Sequence, residues 1–269
     1  MESISPTPGP PSGTPPTPAT SLAGRLLNVF AAPDDVFDEI KTAPPRTTNW
    51  LVPALLSAFL GVLSAIVMYS QPAIIQQIHE QQAKIFEDQV NAGKMTREQA
   101  DQIEAASEKF GGPATMMISG SIGAVVTSFA RVFWWAFVLW LLGLVFLKTK
   151  LDYLKALEVA GLASMIALLG AIITLLLSVS LGKIVTPSFA LLISHFNPKN
   201  VLHLALAAMN FFALWLVGVL AVGLSRLSGA RFSKALWLTG GFWLTIQFLL
   251  ILLAVLVSAI FSAAKMGVK

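Results

Sequence analysis

Five long apolar runs constrain this chain more than any other feature of its sequence. They cover approximately residues 50–69, 115–147, 159–181, 201–224 and 235–262. Each run reaches the ~20 residues that an α-helix needs to cross the hydrocarbon core of a bilayer. The first run also has an aromatic residue at each end, Trp50 and Tyr69, which is typical of anchors at the membrane interface. The sequence therefore predicts an all-α, polytopic integral membrane protein, built as a bundle of five transmembrane helices in the lipid bilayer.

The composition supports a lipid environment for most of the chain. Charged residues make up 12% of the sequence, about half of the ~25% that is usual in soluble domains. A net charge of +4 would favour nucleic-acid binding in a soluble protein. Here the basic residues lie at the ends of the apolar runs, where they set membrane orientation, so we expect no nucleic-acid partner. The absence of cysteine excludes disulfides and thiolate metal sites.

The N-terminal 20 residues differ from the rest of the chain. They contain seven prolines, with Gly, Ser and Thr between them, which predicts a disordered tail with polyproline II character. They lack the basic start and apolar core of a signal peptide. A solvated tail is the favoured interpretation, and a ligand for SH3- or WW-type domains is the alternative. Residues 21–269 form the predicted membrane domain.

Two short amphipathic helices are predicted between this tail and the first span. Ser21 can cap the first helix and Pro33 ends it. Asp34 can cap the second helix, which has an apolar side and an acidic side. The apolar side carries Val36, Phe37 and Ile40, and the acids around it are Asp34, Asp35, Asp38 and Glu39. Both helices are too short to span the bilayer, so we expect them at its surface.

The acids make these helices a candidate docking element. An anionic leaflet repels carboxylates, so lipid binding alone explains the segment poorly. An apolar stripe edged by acids fits a groove lined by basic residues. Such a groove can belong to a protein partner on the cytoplasmic side or to this chain itself. The basic residues of its own turns are Lys148, Lys150, Arg226 and Arg231.

The polar residues 70–114 form the only sizeable insert between the spans. Isoleucines recur at helical spacing from Ile75 to Ile85, and Asn91-Ala92-Gly93 is a helix stop signal. Thr96 and Gln99 make a capping box for a second helix. The pattern predicts a helical hairpin outside the bilayer. A lid on its own bundle is favoured over a docking surface.

Lys and Arg near the ends of the spans predict the orientation. Long translocated loops count little toward this signal, and among the short segments the side of the N-terminus carries nine basic residues against four. We therefore expect the N-terminus in the cytoplasm and the C-terminus outside, in a bacterial cytoplasmic membrane. Whether the bundle forms homo-oligomers stays open.

One charge lies deep in an apolar run. Arg131 precedes Lys148 by 17 residues, or about 25 Å of helix, which places it near the outer boundary of the hydrocarbon, where its side chain can snorkel. Asn210 and Gln247 fall at a related depth in the fourth and fifth runs. The three residues form a candidate intramembrane polar cluster. Structural contacts between helices are the favoured role, and a permeation or binding site is the alternative.

No motif for catalysis, a cofactor or a metal occurs in the sequence. His79, His195 and His203 have no metal-ligand spacing, and there is no Gly-rich phosphate loop, nucleophile elbow or HExxH motif. The sequence therefore predicts a protein that is not an enzyme and carries no cofactor or metal.

Three stretches resemble the Yip family, the five-span membrane proteins named for interaction with Ypt/Rab GTPases. The first stretch contains prolines and apolar residues before and inside the first span: Pro33, Phe37, Ile40, Pro44 and Pro53. KTKLDYLKALEVAGLASM, from residue 148, resembles the short turn into the third span. NFFALWLVGVLAVGLSRLSGARFSKALWLTGGFWL, from residue 210, is similar to the fourth and fifth spans with their basic turn. The tail and the insert are closer to bacterial members.

The resemblance implies a non-catalytic scaffold or adaptor, linked to membrane organisation or trafficking. In the family the segment before the first span is cytoplasmic and engages partners or the membrane surface. A small GTPase is the implied partner if the protein works like its eukaryotic relatives. A small transporter or channel subunit that uses the intramembrane polar cluster is the alternative.

Overall fold

A computed structural model describes residues 20–193, 197 and 200–263 of the chain. The Pro-rich tail, apart from Thr20, and His195 lie outside the described residues. The described part is mostly α-helical, and no strand occurs in it. Its ten α-helices are α1 Leu22–Ala31, α2 Pro33–Thr42, α3 Thr48–Tyr69, α4 Pro72–Asn91, α5 Arg97–Phe110, α6 Pro113–Val145, α7 Tyr153–Leu181, α8 Val201–Ala208, α9 Phe211–Ser228 and α10 Phe232–Ala263.

Five of these helices are long and apolar enough to cross a membrane: α3, α6, α7, α9 and α10. Their most apolar windows have mean hydropathies of 1.8 to 2.5. Large apolar side chains of α10, such as Phe248 and Leu253, are exposed on the bundle surface, which is stable when the surrounding solvent is lipid. The predicted all-α bundle of five spans is confirmed.

The fourth apolar run is two helices rather than the single predicted span over 201–224. The helix is interrupted at Met209 and Asn210, between α8 and α9. Asn210 is the N-cap of α9, and its Oδ1 accepts hydrogen bonds from Phe212 N at 2.8 Å and Ala213 N at 3.4 Å. The membrane-spanning helix therefore begins at Phe211. An asparagine side chain satisfies the free N–H groups of a first helical turn, which makes it a start signal in the middle of an apolar run.

A buried core holds one end of the bundle together. We call this the α1–α2 end: there α1 and α2 pack against the first turns of α3 and α7 and the last turns of α9. The core is formed by apolar residues of six helices, α1, α2, α6, α7, α9 and α10. They include Val29, Phe37, Ile40, Leu139, Val159, Leu162, Ile166, Leu220 and Leu224. The two short amphipathic helices are thus part of the bundle's own core.

The insert forms the predicted pair of helices, α4 and α5. Its capping box is present: Thr96 N donates to Gln99 Oε1 at 3.0 Å, and Gln99 N donates to Thr96 Oγ1 at 3.2 Å. The base of the hairpin contacts the bundle, since Ile74 is buried and Gln77 Oε1 accepts from Ile184 N. Farther out Ile85 is 55% exposed. The hairpin is therefore anchored at its base and is not a lid closed along its length.

Candidate docking element and intramembrane cavity

The apolar side of α2 packs into this chain's own spans. Val36, Phe37 and Ile40 are 3%, 0% and 1% exposed. Gly223 of α9 lies beside the Phe37 ring and lets α9 approach α7 closely, because a Cβ at that position would lie only 2.2 Å from Val159 Cγ1. The groove that receives the apolar stripe thus lies between α7 and α9. It is intramolecular, and its walls are apolar rather than basic.

Arg25 joins α1 to α2 and α3 through its guanidinium. This side chain is 1% exposed. It donates to Glu39 Oε1 at 2.7 Å and to Glu39 Oε2 at 3.4 Å, and its third bond runs to Asn49 Oδ1 at 3.2 Å. A planar guanidinium suits such a two-pronged bond to a carboxylate. The sequence predicts Glu39 on the acidic side of α2, whereas in the structure it is the internal partner of Arg25.

These bonds also change the ionisation of Glu39. The hydrogen bonds from Arg25 lower the pKa of the Glu39 carboxyl below its ordinary value. Partial burial acts in the opposite direction, and the Thr20 N–H, at 3.1 Å from Oε1, adds to the lowering. The carboxylate form of Glu39 is therefore the form that holds α1 against α2.

A second buried carboxylate, Glu158, continues the connection into α7. It is 2% exposed, and its Oε1 accepts from Asn49 Nδ2 at 2.7 Å and from Arg46 N at 2.8 Å. Its Oε2 lies 3.3 Å from Lys155 Nζ. Lys155 also donates to the carbonyl oxygens of Ile40, at 2.6 Å, and Ala43. The lysine thus ties the end of α2 to the start of α7.

Together these side chains form what we call the charge network: Arg25, Glu39, Asn49, Lys155 and Glu158. Two cations face two carboxylates, so the charges balance. Ion pairs of this kind are stable out of water only when the charges are paired and hydrogen bonds satisfy the remaining polar atoms. Here one atom, Glu158 Oε2, has the ion pair with Lys155 and no hydrogen bond. The sequence does not reveal this network, because its members are up to 133 positions apart. The available signal was a charge, Arg25, within a short helix whose neighbours are apolar.

The remaining acids of α2 face outward. Asp34 and Asp38 pair with Arg226 of α9, at 3.3 Å and 2.9 Å, with all three side chains between 41% and 50% exposed. Ion pairs this exposed contribute at most about 1 kcal/mol. Asp35 is exposed. Of the four basic residues considered for the groove, Arg226 is the one that the structure pairs with α2.

The three residues of the predicted intramembrane polar cluster line one cavity. This cavity has a volume of about 620 Å³ and lies between α3, α6, α7, α9 and α10, with Arg131, Asn210 and Gln247 in its wall. Asn210 uses its Oδ1 to cap α9, and Gln247 Nε2 donates to Ala208 O at 3.3 Å. Among the described residues, no hydrogen bond or ion pair joins Arg131 to either of them or to any other side chain. The three residues therefore line the same cavity but do not bond to one another.

The chemistry of the described residues gives no indication of a metal centre. No group of three or more His, Asp or Glu side chains lies close enough to hold an ion within the described part of the chain. What the geometry offers is a docked helix pair at one end and a polar cavity at the other.

Five membrane-spanning helices with a docked N-terminal helix pair define a multi-pass integral membrane protein. The family model described as the Yip1 domain matches residues 27–256, from within α1 to within α10. The chain belongs to the Yip family, and the resemblance found in the sequence is confirmed. No curated protein and no solved structure matches the chain.

Proposed function

We propose that this protein is a non-catalytic membrane scaffold or adaptor whose α1–α2 end faces the cytoplasm and presents the outward acids of α2 to a protein partner. The observation that supports the proposal is that α2 buries one side in the bundle and exposes acids on the other. Its apolar side is buried in the bundle and Glu39 is held by Arg25. Asp34, Asp35 and Asp38 remain at the surface on a helix that cannot move freely, and the three carboxylates exceed the charge of the single cation, Arg226, that pairs with Asp34 and Asp38. A rigid acidic surface is pre-organised for binding.

The chemistry of this surface indicates a basic partner. Carboxylates are repelled by the anionic lipids of a cytoplasmic leaflet, and the apolar residues of α2 that would enter lipid are already buried. Leu27 of α1 is 69% exposed at the same end of the bundle and supplies apolar contact area. Yip family proteins interact with Rab GTPases, so a small GTPase is the partner to test first if this protein works like its eukaryotic relatives.

A small transporter or channel subunit is the second candidate, and the cavity beside Arg131 is the observation in its favour. The packing of the α1–α2 end argues against it. Toward that end, Leu139 and Leu142 of α6 and Leu220 of α9 are 0% to 4% exposed. A solute that entered the cavity would meet this close-packed core. Scaffold function therefore fits the arrangement better than transport.

The experiment that tests the proposal is site-specific photocrosslinking in the native membrane. A benzophenone amino acid at Leu27 is expected to capture one basic protein, and neutralising Asp34, Asp35 and Asp38 to asparagine is expected to abolish the adduct. The same probe at Trp237, which is 76% exposed on α10, is the control and is expected not to capture it. The purified partner should bind the wild-type protein more weakly as salt rises.

The neutralised variant is expected to keep its fold, because the ion pairs that it loses are exposed and weak and the charge network stays intact. Adducts with lipid alone at Leu27, or a protein adduct that survives neutralisation, would contradict an acidic docking surface. Solute uptake by reconstituted vesicles would support the transport alternative instead.

A further inference from the structure

Arg131 is a cation that the described part of the chain leaves without a counter-charge. It lies in α6, 14 residues before Val145 at the α1–α2 end, or about 21 Å along the helix. A charged side chain inside the hydrocarbon is costly unless it is paired or reaches the interface. No carboxylate is among the residues that line the cavity around it, and a second cavity of about 250 Å³ also has Arg131 in its wall. The residue thus faces open space.

The polar lining of the larger cavity favours an anion. Ser64, Thr174 and Gln247 supply hydroxyl and amide groups. Asn210 places the first turn of α9 at the same wall. Its first N–H groups are already bonded to Asn210 and to Pro187 O, so the helix contributes the partial positive charge of its N-terminus and not free donors. Every fixed charge at the cavity is therefore positive.

The depth of the cavity matches that of a lipid headgroup. The membrane-spanning part of α9 has 18 residues, or about 27 Å, and the hydrocarbon core is about 30 Å thick. The cavity lies where this helix begins, at the boundary opposite the α1–α2 end. Its wall also includes Trp135, Leu175 and Leu216, which offer apolar surface beside the polar groups. A ligand with a charged head and an apolar body fits both parts of the lining.

We infer that this cavity binds the headgroup of an anionic phospholipid, with Arg131 pairing with the phosphate and the apolar wall taking the adjoining part of the acyl chain. A guanidinium and a phosphate form two parallel charge-assisted hydrogen bonds. The volume of about 620 Å³ is within the ~300–1,000 Å³ that is usual for small-molecule sites. The inference does not depend on the proposed scaffold function, since it concerns the opposite end of the bundle.

The test uses the full chain in a neutral detergent. Native mass spectrometry and a titration of the intrinsic tryptophan fluorescence are followed on addition of dioctanoyl phosphatidylglycerol, because Trp135 and Trp243 line the cavity. We expect one lipid per chain at saturation and tighter binding than for the zwitterionic dioctanoyl phosphatidylcholine. Arg131→Gln is expected to lower the affinity for the anionic lipid by about tenfold or more, since it removes a charge-assisted bidentate pair. Arg231→Gln, an exposed cation outside the cavity, is the matched control and is expected to bind as the wild type does.

A second variant tests the cavity with Arg131 left in place. Ala213→Phe, at the cavity wall, is expected to lower the affinity for the lipid, because the larger side chain fills its site. This variant decides the question if Arg131→Gln does not fold. Wild-type affinity in these variants, or equal affinity of the wild type for the two lipids, overturns the inference. Inorganic phosphate that binds and displaces the lipid overturns the lipid as ligand and assigns the cavity to a soluble anion.

Discussion

Gly161 of α7 lies directly against the main chain of Trp50 in α3. A Cβ at Gly161 would be 2.3 Å from Trp50 Cα and 2.9 Å from the carbonyl oxygen of Asn49. Small residues allow membrane helices to approach this closely. The contact sets the distance between the helices that carry Asn49 and Glu158, whose side chains are joined by a 2.7 Å hydrogen bond. The charge network therefore depends on a glycine that takes no part in it.

Replacement of this glycine is expected to destabilise the protein. The extra methyl group of Gly161→Ala meets main-chain atoms, which cannot rotate away, so α3 and α7 must separate at a cost of about 1–3 kcal/mol. The measurement is the Tm in detergent by intrinsic fluorescence. Gly218→Ala is the control, because nothing lies within 4 Å of a Cβ at that position of α9, and its Tm is expected to be unchanged or slightly raised. Equal Tm values for the two variants would show that α3 and α7 can accommodate a methyl group at Gly161.

Replacement of Lys155 is expected to lower the free energy of unfolding more than replacement of an exposed lysine. Lys155→Met leaves the carboxylate of Glu158 buried without its cation and removes two bonds to the end of α2. Breaking one side of a buried ion pair costs about 3–5 kcal/mol. Lys150→Met, an exposed position in the loop before α7, is expected to leave the stability nearly unchanged. The double variant Lys155→Met, Glu158→Gln should lose less than the sum of its single changes. Unfolding by denaturant gives these values, and simple additivity would mean that the two side chains are independent.

The docking of α1 onto α2 is expected to depend on acid pH through Glu39. The pKa of Glu39 is lowered in the folded protein, so its ionised form stabilises the fold above the unfolded value of about 4.5. This contribution is lost as the pH falls through the folded value. The Tm difference between the wild type and Glu39→Gln should therefore be constant near neutral pH and shrink below about pH 4.5. Asp35→Asn is the control, with no such difference expected. A wild-type advantage that persists at the lowest pH would assign the effect to packing.

Asn210 is expected to act on stability through the cap of α9. Asn210→Ala removes the acceptor for two main-chain N–H groups, and loss of such a cap costs about 1 kcal/mol. Asn210→Ser should recover most of that loss, because serine also caps helices. The Tm in detergent measures both effects. A serine variant as unstable as the alanine variant would show that the amide group has another role at the cavity.

The proposed orientation can be tested by labelling, since the chain has no cysteine of its own. Ser233→Cys lies exposed at the start of α10, at the α1–α2 end, and Gln81→Cys lies exposed on α4 of the insert. If the α1–α2 end is cytoplasmic, an impermeant thiol reagent should label the cysteine at 81 in intact cells and the cysteine at 233 only after lysis. Labelling at 233 alone in intact cells would invert the orientation.

The sequence alone determined the solvent and the periodicity of each segment. An apolar run long enough to cross a bilayer has few alternatives to a helix, because its main-chain polar groups must be satisfied within the segment. The amphipathic helices and the capping box are equally local, since they depend on residues three or four positions apart. The heights of Arg131, Asn210 and Gln247 along their helices could be predicted in the same way, because a helix rises a fixed 1.5 Å per residue.

Only the tertiary structure decided which side chains meet. A helix fixes the height of a residue but not the neighbour that it faces, so Arg25 as the partner of Glu39, and Asn49 as the partner of Glu158, could not be read from position. The break at Asn210 was hidden for the same reason. An asparagine in an apolar run can lie within a helix or begin one, and here the main chain of residues 187–189 bonds to residues 209–211 and selects the second. These choices depend on contacts between distant segments, where burial penalises every charge and N–H group that is left unmatched.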